Sequence, residues 1–431
     1  MNKISETLPT SWRRELIEDL FAPLEDGRTM HQGWSPQCEK EPSPEETQWG
    51  VLKTTAIQAG EFQPEHNKLL PSKLDPRPLL EVKPGDILLT CAGPRVRCGV
   101  ACLVRRTRAR LLISGKMYRF RPKPSVMEPG YLEAFLLTEE ARQAIDRMKT
   151  GGSDSGLNLT HERFRKLSVP VAPLPEQRRI VAEIEKQFTR LEAGVAALKR
   201  VQANLKRYRA AVLKAACEGR LVPTDGDWKT GTLRDVLVGI ETGKSFKCEE
   251  RPPTALEVGV VKVSAVTWGT YDELESKTCL DPNRIEERYL VSVNDFLFSR
   301  ANTIELIGAC VIAKKVNLRV MLSDKILRFR FSSAVEPRWV LYWLRSDFGR
   351  AEIERLATGN QESMRNIGQD RIRQIAMEFP SLAEQARIVA EVERRLSVIE
   401  GIGATVEANL KRAARLRQSV LQKAFTGELV S

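Results

Sequence analysis

The sequence predicts a mixed α+β chain that is built twice and contains two long helices packed on each other. Two observations support this prediction. A stretch of about 49 residues occurs twice without a gap, about 208 positions apart. Both copies repeat apolar residues at helical spacing, whereas the regions between them contain short strand-like runs. With 431 residues the chain exceeds one ordinary hydrophobic core, so several domains are expected.

The repeated segment runs from Leu174 to Val222 and again from Leu382 to Val430. Both copies open on EQ-x-RIVAE and close on VL-x-x-A-x-x-G-x-LV. Proline is absent from Glu176 to Gly219 and from Ala383 to Ser431, so each copy is predicted to form one long helix.

Apolar residues recur along each copy in alternating steps of three and four, the spacing of a heptad seam. The seam residues are Ile184, Phe188, Leu191, Val195, Leu198, Leu205 and Val212 in the first copy, and Val392, Leu396, Ile399, Val406, Leu410, Ala413 and Val420 in the second. Arg209 and Arg417 interrupt the seams. Because the seams share a register, we expect the helices to pack on each other; the alternative is two separate amphipathic helices. Gly219 and Gly427 are expected to end them.

The duplication extends into the regions that precede each helix. Gly50 to Phe62 resembles Gly259 to Tyr271, and Val82 to Thr90 resembles Val291 to Ser299, although few residues are identical. We call these less similar parts the variable regions and predict a mixed α/β fold for both, each with one shorter helical stretch. The predicted segments are a first variable region at 1–173, a first helical region at 174–222, a second variable region at 223–381 and a second helical region at 382–431. The acidic, proline-rich residues 36–47 are predicted to form an exposed loop.

Composition indicates what kind of molecule the protein binds and in which cellular compartment it is found. The formal net charge is +12, which favours a polyanion such as nucleic acid, although solubility alone is an alternative. Eight cysteines without a CxxC pair and only three histidines make a metal site unexpected, and unpaired cysteines fit a reducing cytoplasm. The first residues lack the apolar core of a signal peptide, and no apolar run is long enough to span a membrane.

A search for catalytic motifs finds none, which favours a non-catalytic protein. There is no GxxxxGK[ST] phosphate loop and no NPPY-like tetrapeptide of an amino-methyltransferase; DPNR, which begins at Asp281, lacks the aromatic residue. The adjacent carboxylates Glu139/Glu140, Glu249/Glu250 and Glu286/Glu287 are interpreted as solvated surface. For His161, capping or packing is a better interpretation than catalysis.

Basic and amide residues in the variable regions are the candidates for DNA contact. Arg106, Arg108 and Arg110 are expected on one side of a strand, where they suit phosphates; the alternative is a solvated strand edge. The other candidates are expected in loops: Arg95, Arg97, Lys244, Lys247, Arg300, Asn302 and Thr303. Arginine and asparagine can read base edges in a major groove with two hydrogen bonds.

The sequence resembles the specificity subunits of type I restriction-modification systems over essentially its whole length. The resemblance lies in PLPEQRRIVAEIE and SLAEQARIVAEVE, in the endings VLKAACEGRLV and VLQKAFTGELV, and in GDILLT. It implies two target-recognition domains that each read half of a split double-stranded DNA site, and two helical regions packed as an antiparallel coiled coil. The second motif departs from the first in having Ala383 where the first has Pro175.

The resemblance also implies partners. Two methylation subunits, and restriction subunits in the full complex, would supply the chemistry with S-adenosylmethionine, ATP and magnesium, while this chain would bind no cofactor. Two alternatives stay open on the residues alone. One is a methyltransferase or nuclease with duplicated DNA-binding domains, which would act without partners. The other is a scaffold that does not bind DNA, against which salt-dependent DNA binding would count.

Overall fold

The computed structural model describes residues 8–43, 47–224, 226–361 and 364–430. The chain forms two compact units: unit 1 comprises Met1–Leu198 and Ala408–Ser431, and unit 2 comprises Lys199–Glu407. Each unit thus combines one variable region with part of both long helices. The four segments predicted from the repeat, 1–173, 174–222, 223–381 and 382–431, remain a prediction of where the domains begin and end. The predicted loop at 36–47 lacks regular structure where it is described, and residues 44–46 lie outside the described part.

Unit 1 is a mixed α+β unit. Its strands are β1 (Arg13–Leu16), β2 (Met30–Gln32), β3 (Gly50–Leu52), β4 (Ile57–Gln58), β5 (Glu61–Phe62), β6 (Asn67–Leu69), β7 (Ile87–Thr90), β8 (Ala92–Gly93), β9 (Ala101–Leu103), β10 (Leu111–Leu112), β11 (Met117–Phe120), β12 (Leu157–Asn158) and β13 (Ser168–Val171), and its helices are α1 (Pro129–Leu136), α2 (Glu139–Met148), α3 (His161–Arg165) and the first part of α4 (Leu174–Cys217). An antiparallel sheet has the order β2-β11-β7-β9, and a second sheet has the order β10-β3-β6 with β10 parallel to β3. The remaining pairs are β1·β13, β8·β12 and β4·β5.

Unit 2 repeats this plan. Its strands are β14 (Lys229–Thr232), β15 (Leu237–Thr242), β16 (Val258–Val261), β17 (Ser276–Thr278), β18 (Phe296–Ser299), β19 (Ala301–Asn302), β20 (Cys310–Ile312), β21 (Arg319–Met321), β22 (Ile326–Phe331), β23 (Thr358–Gln361), β24 (Met364–Asn366) and β25 (Ala376–Phe379), and its helices are the last part of α4, α5 (Pro337–Arg345), α6 (Asp347–Leu356), α7 (Gln369–Ile372) and the first part of α8 (Leu382–Thr426). The last part of α8 belongs to unit 1. The sheets have the orders β15-β22-β18-β20, β17-β16-β21 and β19-β24-β23, and β14 pairs with β25.

The two units share their strand register. Phe120 lies opposite Ile87 in unit 1, and Phe329 lies opposite Phe296 in unit 2, with both partners displaced by the same 209 positions. The predicted duplication and α+β class are therefore confirmed. The single helical stretch predicted in each variable region is wrong in detail, because each stretch breaks into two helices. The hydroxyl oxygens of Thr138 and Ser346 accept backbone N–H groups and start a new helix there.

The two long helices pack together and run antiparallel within each unit. In unit 1, Phe188 of α4 packs in the same apolar cluster as Val420 near the end of α8. In unit 2, Leu205 and Val212 of α4 pack with Leu396 near the start of α8. The buried seam residues are Ile184, Val212, Val392, Leu396, Ile399, Val406 and Ala413, and the half-buried ones are Phe188, Leu191, Val195, Leu198, Leu205, Leu410 and Val420.

The two predicted helix stops have the conformation that a glycine favours. Gly219 follows α4 with φ of 66°, and Gly427 follows α8 with φ of 82°. Side chains with a Cβ rarely adopt this left-handed region, so glycine ends both helices at little steric cost.

The EQ pair at the start of each long helix forms hydrogen bonds with the variable region that precedes that helix. Gln177 is fully buried; its amide donates to the carbonyls of Val126 and Ala172 at 2.9 and 2.8 Å and its oxygen accepts from Glu128 N at 2.8 Å. Glu176 accepts from the Trp12 indole at 3.1 Å. Unit 2 repeats both contacts, with Gln385 bonded to Glu336 N and the Pro380 carbonyl, and Glu384 to the Trp228 indole. The repeated EQ motif therefore connects each long helix to its variable region, and we call these hydrogen bonds the joint.

We expect Gln177→Ala to destabilise unit 1 by about 3 kcal/mol, because three buried backbone groups lose their partner. For a unit of this size the melting temperature should fall by about 6–12 °C. The matched control is Gln202→Ala, which removes an exposed glutamine from the same helix and should change stability by less than about 0.5 kcal/mol. Equal melting temperatures for the two variants, measured by circular dichroism, would contradict the role of the joint.

A second feature of both units is a buried arginine held by two carboxylates. Arg119 in β11 is fully buried, with Glu25 at 2.7 Å and Asp86 at 3.4 Å. It also donates to the Glu81 carbonyl. Burial opposes the charged form of Glu25, but hydrogen bonds from its own backbone and from Lys83, together with the charge of Arg119, lower the pKa of this carboxyl to about 2.

Unit 2 carries a similar network, in which the arginine and the aspartate lie 209 positions later, while the second carboxylate, Glu241, does not correspond to Glu25. Arg328 in β22 lies 2.7 Å from Glu241 and 2.8 Å from Asp295, and it donates to the Leu290 carbonyl at 2.8 Å. Arg330, two residues further along the strand, also contacts both carboxylates. The network fixes β15, β18 and β22 to one another, because a buried guanidinium needs its partners to offset the cost of leaving water.

Candidate nucleic-acid interface

Two of the predicted DNA contacts in unit 1, Arg95 and Arg97, lie in the loop between β8 and β9. Arg95 forms ion pairs with Asp146 at 2.7 Å and Asp154 at 2.9 Å, and its hydrogen bonds to Asp154 and Asp146 raise its pKa. Arg97 is turned inward and donates to the Ile57 carbonyl at 2.7 Å and to the Thr54 carbonyl. Arg97 therefore shapes the loop, whereas Arg95 is half exposed at its surface.

The expectation that Arg106, Arg108 and Arg110 line one side of a strand is wrong. Strand β9 ends at Leu103 and β10 begins at Leu111, so residues 104–110 form a loop. The run carries few apolar residues to cover a sheet face, and Arg110 has a φ of 61°, which no strand residue adopts.

Within this loop the three arginines have different environments. Arg108 donates to the carbonyls of Ser43 and Gln48, both at 3.2 Å, and Arg110 donates to the Thr47 carbonyl. Arg106 is exposed and forms no ion pair with any residue that the structure describes. Of the three, Arg106 is therefore the one whose charge is available to a phosphate.

In unit 2 the lysine candidates lie in the segment that follows β15. Lys244 is exposed and forms an ion pair with Glu286 at 2.8 Å; its hydrogen bond to Glu286 raises its pKa. Lys247 is exposed, and no ion pair joins it to the part of the chain that is described. Both can contact a phosphate from the surface, although Lys244 must leave Glu286 to do so.

The candidates Arg300, Asn302 and Thr303 come together beside one further residue, Asn366. Strand β19 pairs antiparallel with β24, which places Ala301 opposite Asn366. The Arg300 Nε donates to the Asn366 side-chain oxygen at 3.3 Å, and the Asn302 side-chain oxygen accepts from Thr303 N at 2.9 Å. A guanidinium and two carboxamides thus share the surface of one strand pair, and these are the groups that read guanine and adenine in a major groove.

Sequence reasoning missed the second strand of this surface in each unit. In unit 1 it is β12, which pairs with β8 and follows a loop of small residues, 151–156. In unit 2 it is β24. The matching glycines Gly151 and Gly359 have φ values of 145° and 118°, and a Cβ on either would lie 2.6–2.7 Å from a backbone oxygen. Their repeated position in the sequence is the signal that could have located these strands. We call the β8–β12 and β19–β24 surfaces the paired-strand surfaces.

The adjacent carboxylates that the sequence presents have basic partners at the surface. Glu140 pairs with Arg14 at 2.9 Å, Glu249 with Arg251 at 3.0 Å, and Glu286 with Arg288 at 2.7 Å. His161 lies edge-on to the Tyr118 ring, with ring centres 4.2 Å apart. Among the residues described, no group of three or more His, Cys, Asp or Glu is placed to hold a metal ion.

Described helices of this chain include none that is both apolar and long enough to cross a bilayer.

The chain is similar to specificity subunits of type I restriction enzymes, although no protein-family model matches it. It is 39% identical to the EcoEI specificity subunit of Escherichia coli over 181 residues, which are 42% of this chain and 30% of that subunit. It is 26% identical to the EcoKI specificity subunit of Escherichia coli strain K12 over 72% of this chain and 68% of that subunit. With the StySPI specificity subunit of Salmonella potsdam the identity is 24%, over 88% and 82% of the two chains.

Two solved structures share the fold. A chain from a type I restriction-modification system, described for its complex assembly and conformational transition, superposes with a TM-score of 0.71 at 20% identity, covering 98% of this chain and 99% of its own length. The HsdS subunit from Thermoanaerobacter tengcongensis superposes with a TM-score of 0.52 at 18% identity, covering 99% and 100%. In its sequence the chain is therefore similar to the specificity subunits of type I restriction enzymes, and in its duplicated units and paired long helices it shares the fold of the HsdS subunit.

Proposed function

We propose that this chain recognises a bipartite, asymmetric site in double-stranded DNA and supplies specificity, not chemistry, to a type I restriction-modification complex. The main support is that the two units repeat their sheets and register but differ at the paired-strand surfaces. Unit 1 presents Arg95 with Asp154 there, and unit 2 presents Arg300, Asn302 and Asn366. Two recognition domains that bind different half-sites need the same fold but different polar side chains on the surface that contacts the bases.

The similarity to type I specificity subunits supports the proposed partners. Two methylation subunits would bind S-adenosylmethionine, and restriction subunits would bring ATP and magnesium chemistry. The chain itself would hold no cofactor, and the complex would act on DNA in the cytoplasm. The net charge of +12 supports a polyanionic substrate, because cations that displace counterions from a duplex strengthen binding.

The test is to purify the chain alone and together with methylation subunits, and to expose both samples to a random duplex library with S-adenosylmethionine. We expect methylation at a split site only with the partners. In the complex, Asn302→Ala should relax one base position in one half-site by about 5–150-fold, since one good base contact discriminates by ~1–3 kcal/mol.

The matched control is Lys247→Ala, which removes an exposed cation from the same unit. This variant should weaken binding about equally for all sequences and make it less salt-dependent, as expected for a phosphate contact. Methylation or cleavage by the pure chain would contradict the proposal, and so would a change in both half-sites upon Asn302→Ala.

A further inference from the structure

Each unit contains a groove between the long-helix pair and the variable region, and the two grooves occupy equivalent positions in the repeat. The groove of unit 1 is lined by Arg417 of α8 and by Phe188 and Glu192 of α4. The groove of unit 2 is lined by the residues 208 positions away, namely Arg209, Leu396 and Glu400. The second groove is a cleft of about 1140 Å³.

The grooves differ in charge although they share a fold. The lining of the unit 1 groove has two basic and three acidic residues. The lining of the unit 2 groove has five basic residues, Arg209, Lys314, Lys315, Arg338 and Arg345, and only two acidic ones, Glu393 and Glu400. The excess of positive charge is therefore a property of unit 2 and not a consequence of the shared architecture.

The equivalent arginines show the difference most clearly. In unit 1, Arg417 forms an ion pair with Glu192 at 3.0 Å and lies 4.1 Å from the centre of the Phe188 ring. In unit 2, Leu396 replaces the ring, and Arg209 forms no ion pair with a carboxylate in the described part of the chain. The charge that unit 1 neutralises internally stays available in unit 2.

A second cation at the unit 2 groove, Arg345, also has no carboxylate partner among the residues that the structure describes. Arg345 replaces Leu137 of unit 1 and donates to the backbone carbonyls of Cys310 and Gly269, both at 2.7 Å. Burial lowers the pKa of Arg345, and the nearby charge of Arg209 lowers it further. Two neighbouring guanidinium groups in a recess repel each other, and a bound carboxylate would relieve that repulsion.

The shape of the groove selects among anionic partners. Its volume matches the clefts that hold small ligands and side chains, whereas a duplex presents its phosphates on a broad convex surface. Its wall also contains the apolar or aromatic residues Leu341, Tyr342 and Leu396. A peptide that alternates acidic and apolar side chains complements both features.

We infer that the groove of unit 2 is a docking site for an acidic, partly apolar peptide segment of a partner protein, held by Arg209, Lys314, Lys315 and Arg345. The site goes beyond DNA reading and does not depend on it. Because the matching groove of unit 1 lacks the excess charge, the chain binds one such segment and not two. The site therefore distinguishes the two halves of a duplicated molecule for a protein partner.

The probe is a fluorescent peptide of alternating Glu and Leu, titrated with the full chain and followed by anisotropy; a Lys–Leu peptide is its control. We expect Arg209→Glu, and independently Lys314→Glu with Lys315→Glu, to weaken binding about tenfold or more, since hydrogen bonds between charged groups are strong. Arg207→Glu is the matched control, because it makes the same charge change at an exposed position of α4 outside the groove. It should leave binding unchanged.

Circular dichroism establishes whether each variant folds. If Arg209→Glu does not fold, the double variant Lys314→Glu with Lys315→Glu tests the inference instead. The inference is overturned if the wild-type chain does not bind the Glu–Leu peptide or binds the Lys–Leu peptide equally well. It is also overturned if Arg207→Glu weakens binding as much as the groove variants do. Displacement of the peptide by inorganic phosphate at low millimolar concentration would make the groove an oxyanion site instead. Displacement by duplex DNA, with DNA affinity lowered by Arg209→Glu, would assign the groove to DNA.

Discussion

Replacing residues 223–381 with the matching region of a type I specificity subunit should change one half of the methylated DNA site completely and leave the other half unchanged. The reason is that the polar groups proposed to read bases in unit 2, Arg300, Asn302 and Asn366, all lie inside this range. The measurement is sequencing of the positions methylated by the reconstituted complex.

The exchange must preserve the joint that carries the variable region. A donor should keep a tryptophan at position 228, because its indole donates to Glu384 of the retained helix at 3.0 Å. It should also keep the turn whose Glu336 N–H donates to Gln385 at 2.8 Å. The reciprocal exchange of residues 1–173 is the control and should change only the other half. A hybrid that folds but changes both half-sites would show that the units do not read independently.

Much of the fold could be predicted because periodicity and repetition are local properties of a sequence. The long helices follow from the heptad spacing of residues such as Ile184 and Val392, both of which are buried. Their ends follow from Gly219 and Gly427. The duplication could be detected because the same residues recur in the same order, and the structure places them in the same register.

The individual roles of arginines could not be predicted, because a sequence does not show what a flexible cationic side chain contacts. Arg97 was proposed as a DNA contact but holds two backbone carbonyls of its own unit. Arg106 and Arg108 lie in one loop and differ completely in environment. Two partners of Arg108, Gln48 and Ser43, lie 60 and 65 positions away in the sequence, and only tertiary structure brings them to it.

The repeat also carries a signal for the buried arginines of the two sheets. The tripeptide Arg-Phe-Arg occurs at 119–121 and again at 328–330, and the aspartates Asp86 and Asp295 recur with the same offset of 209. An arginine that recurs within a strand-like run, together with an aspartate that recurs at the same offset, indicates a buried ion pair. The EQ pair at the start of each helix was recognised as a family motif, but only the structure shows that it binds the Trp12 and Trp228 indoles.

Arg328→Ala should therefore be among the most destabilising single changes in unit 2, by about 3–5 kcal/mol. The arginine side chain is 4% exposed and that of Asp295 is 3% exposed, so its removal leaves a buried carboxylate without its closest cation. A loss of this size is a large part of the ~5–15 kcal/mol that stabilises an ordinary domain. Hydrogen exchange should show faster exchange of the amides of β15, β18 and β22, and unchanged exchange in β7 and β11.

Arg330→Ala is the matched control, because Arg330 contacts the same two carboxylates from a side chain that is 46% exposed. Its cost should be about 1 kcal/mol or less, as for other solvent-screened ion pairs. A second variant separates the buried charge from the lost packing: Arg328→Met combined with Asp295→Asn removes both charges and keeps most of the volume. Its comparison is Arg328→Met alone, which keeps the same volume but leaves Asp295 without its closest cation. If the uncompensated carboxylate is the cause, the double variant should be more stable than Arg328→Met. Equal stability of these two variants in urea unfolding would show that the uncompensated carboxylate is not the cause of the loss.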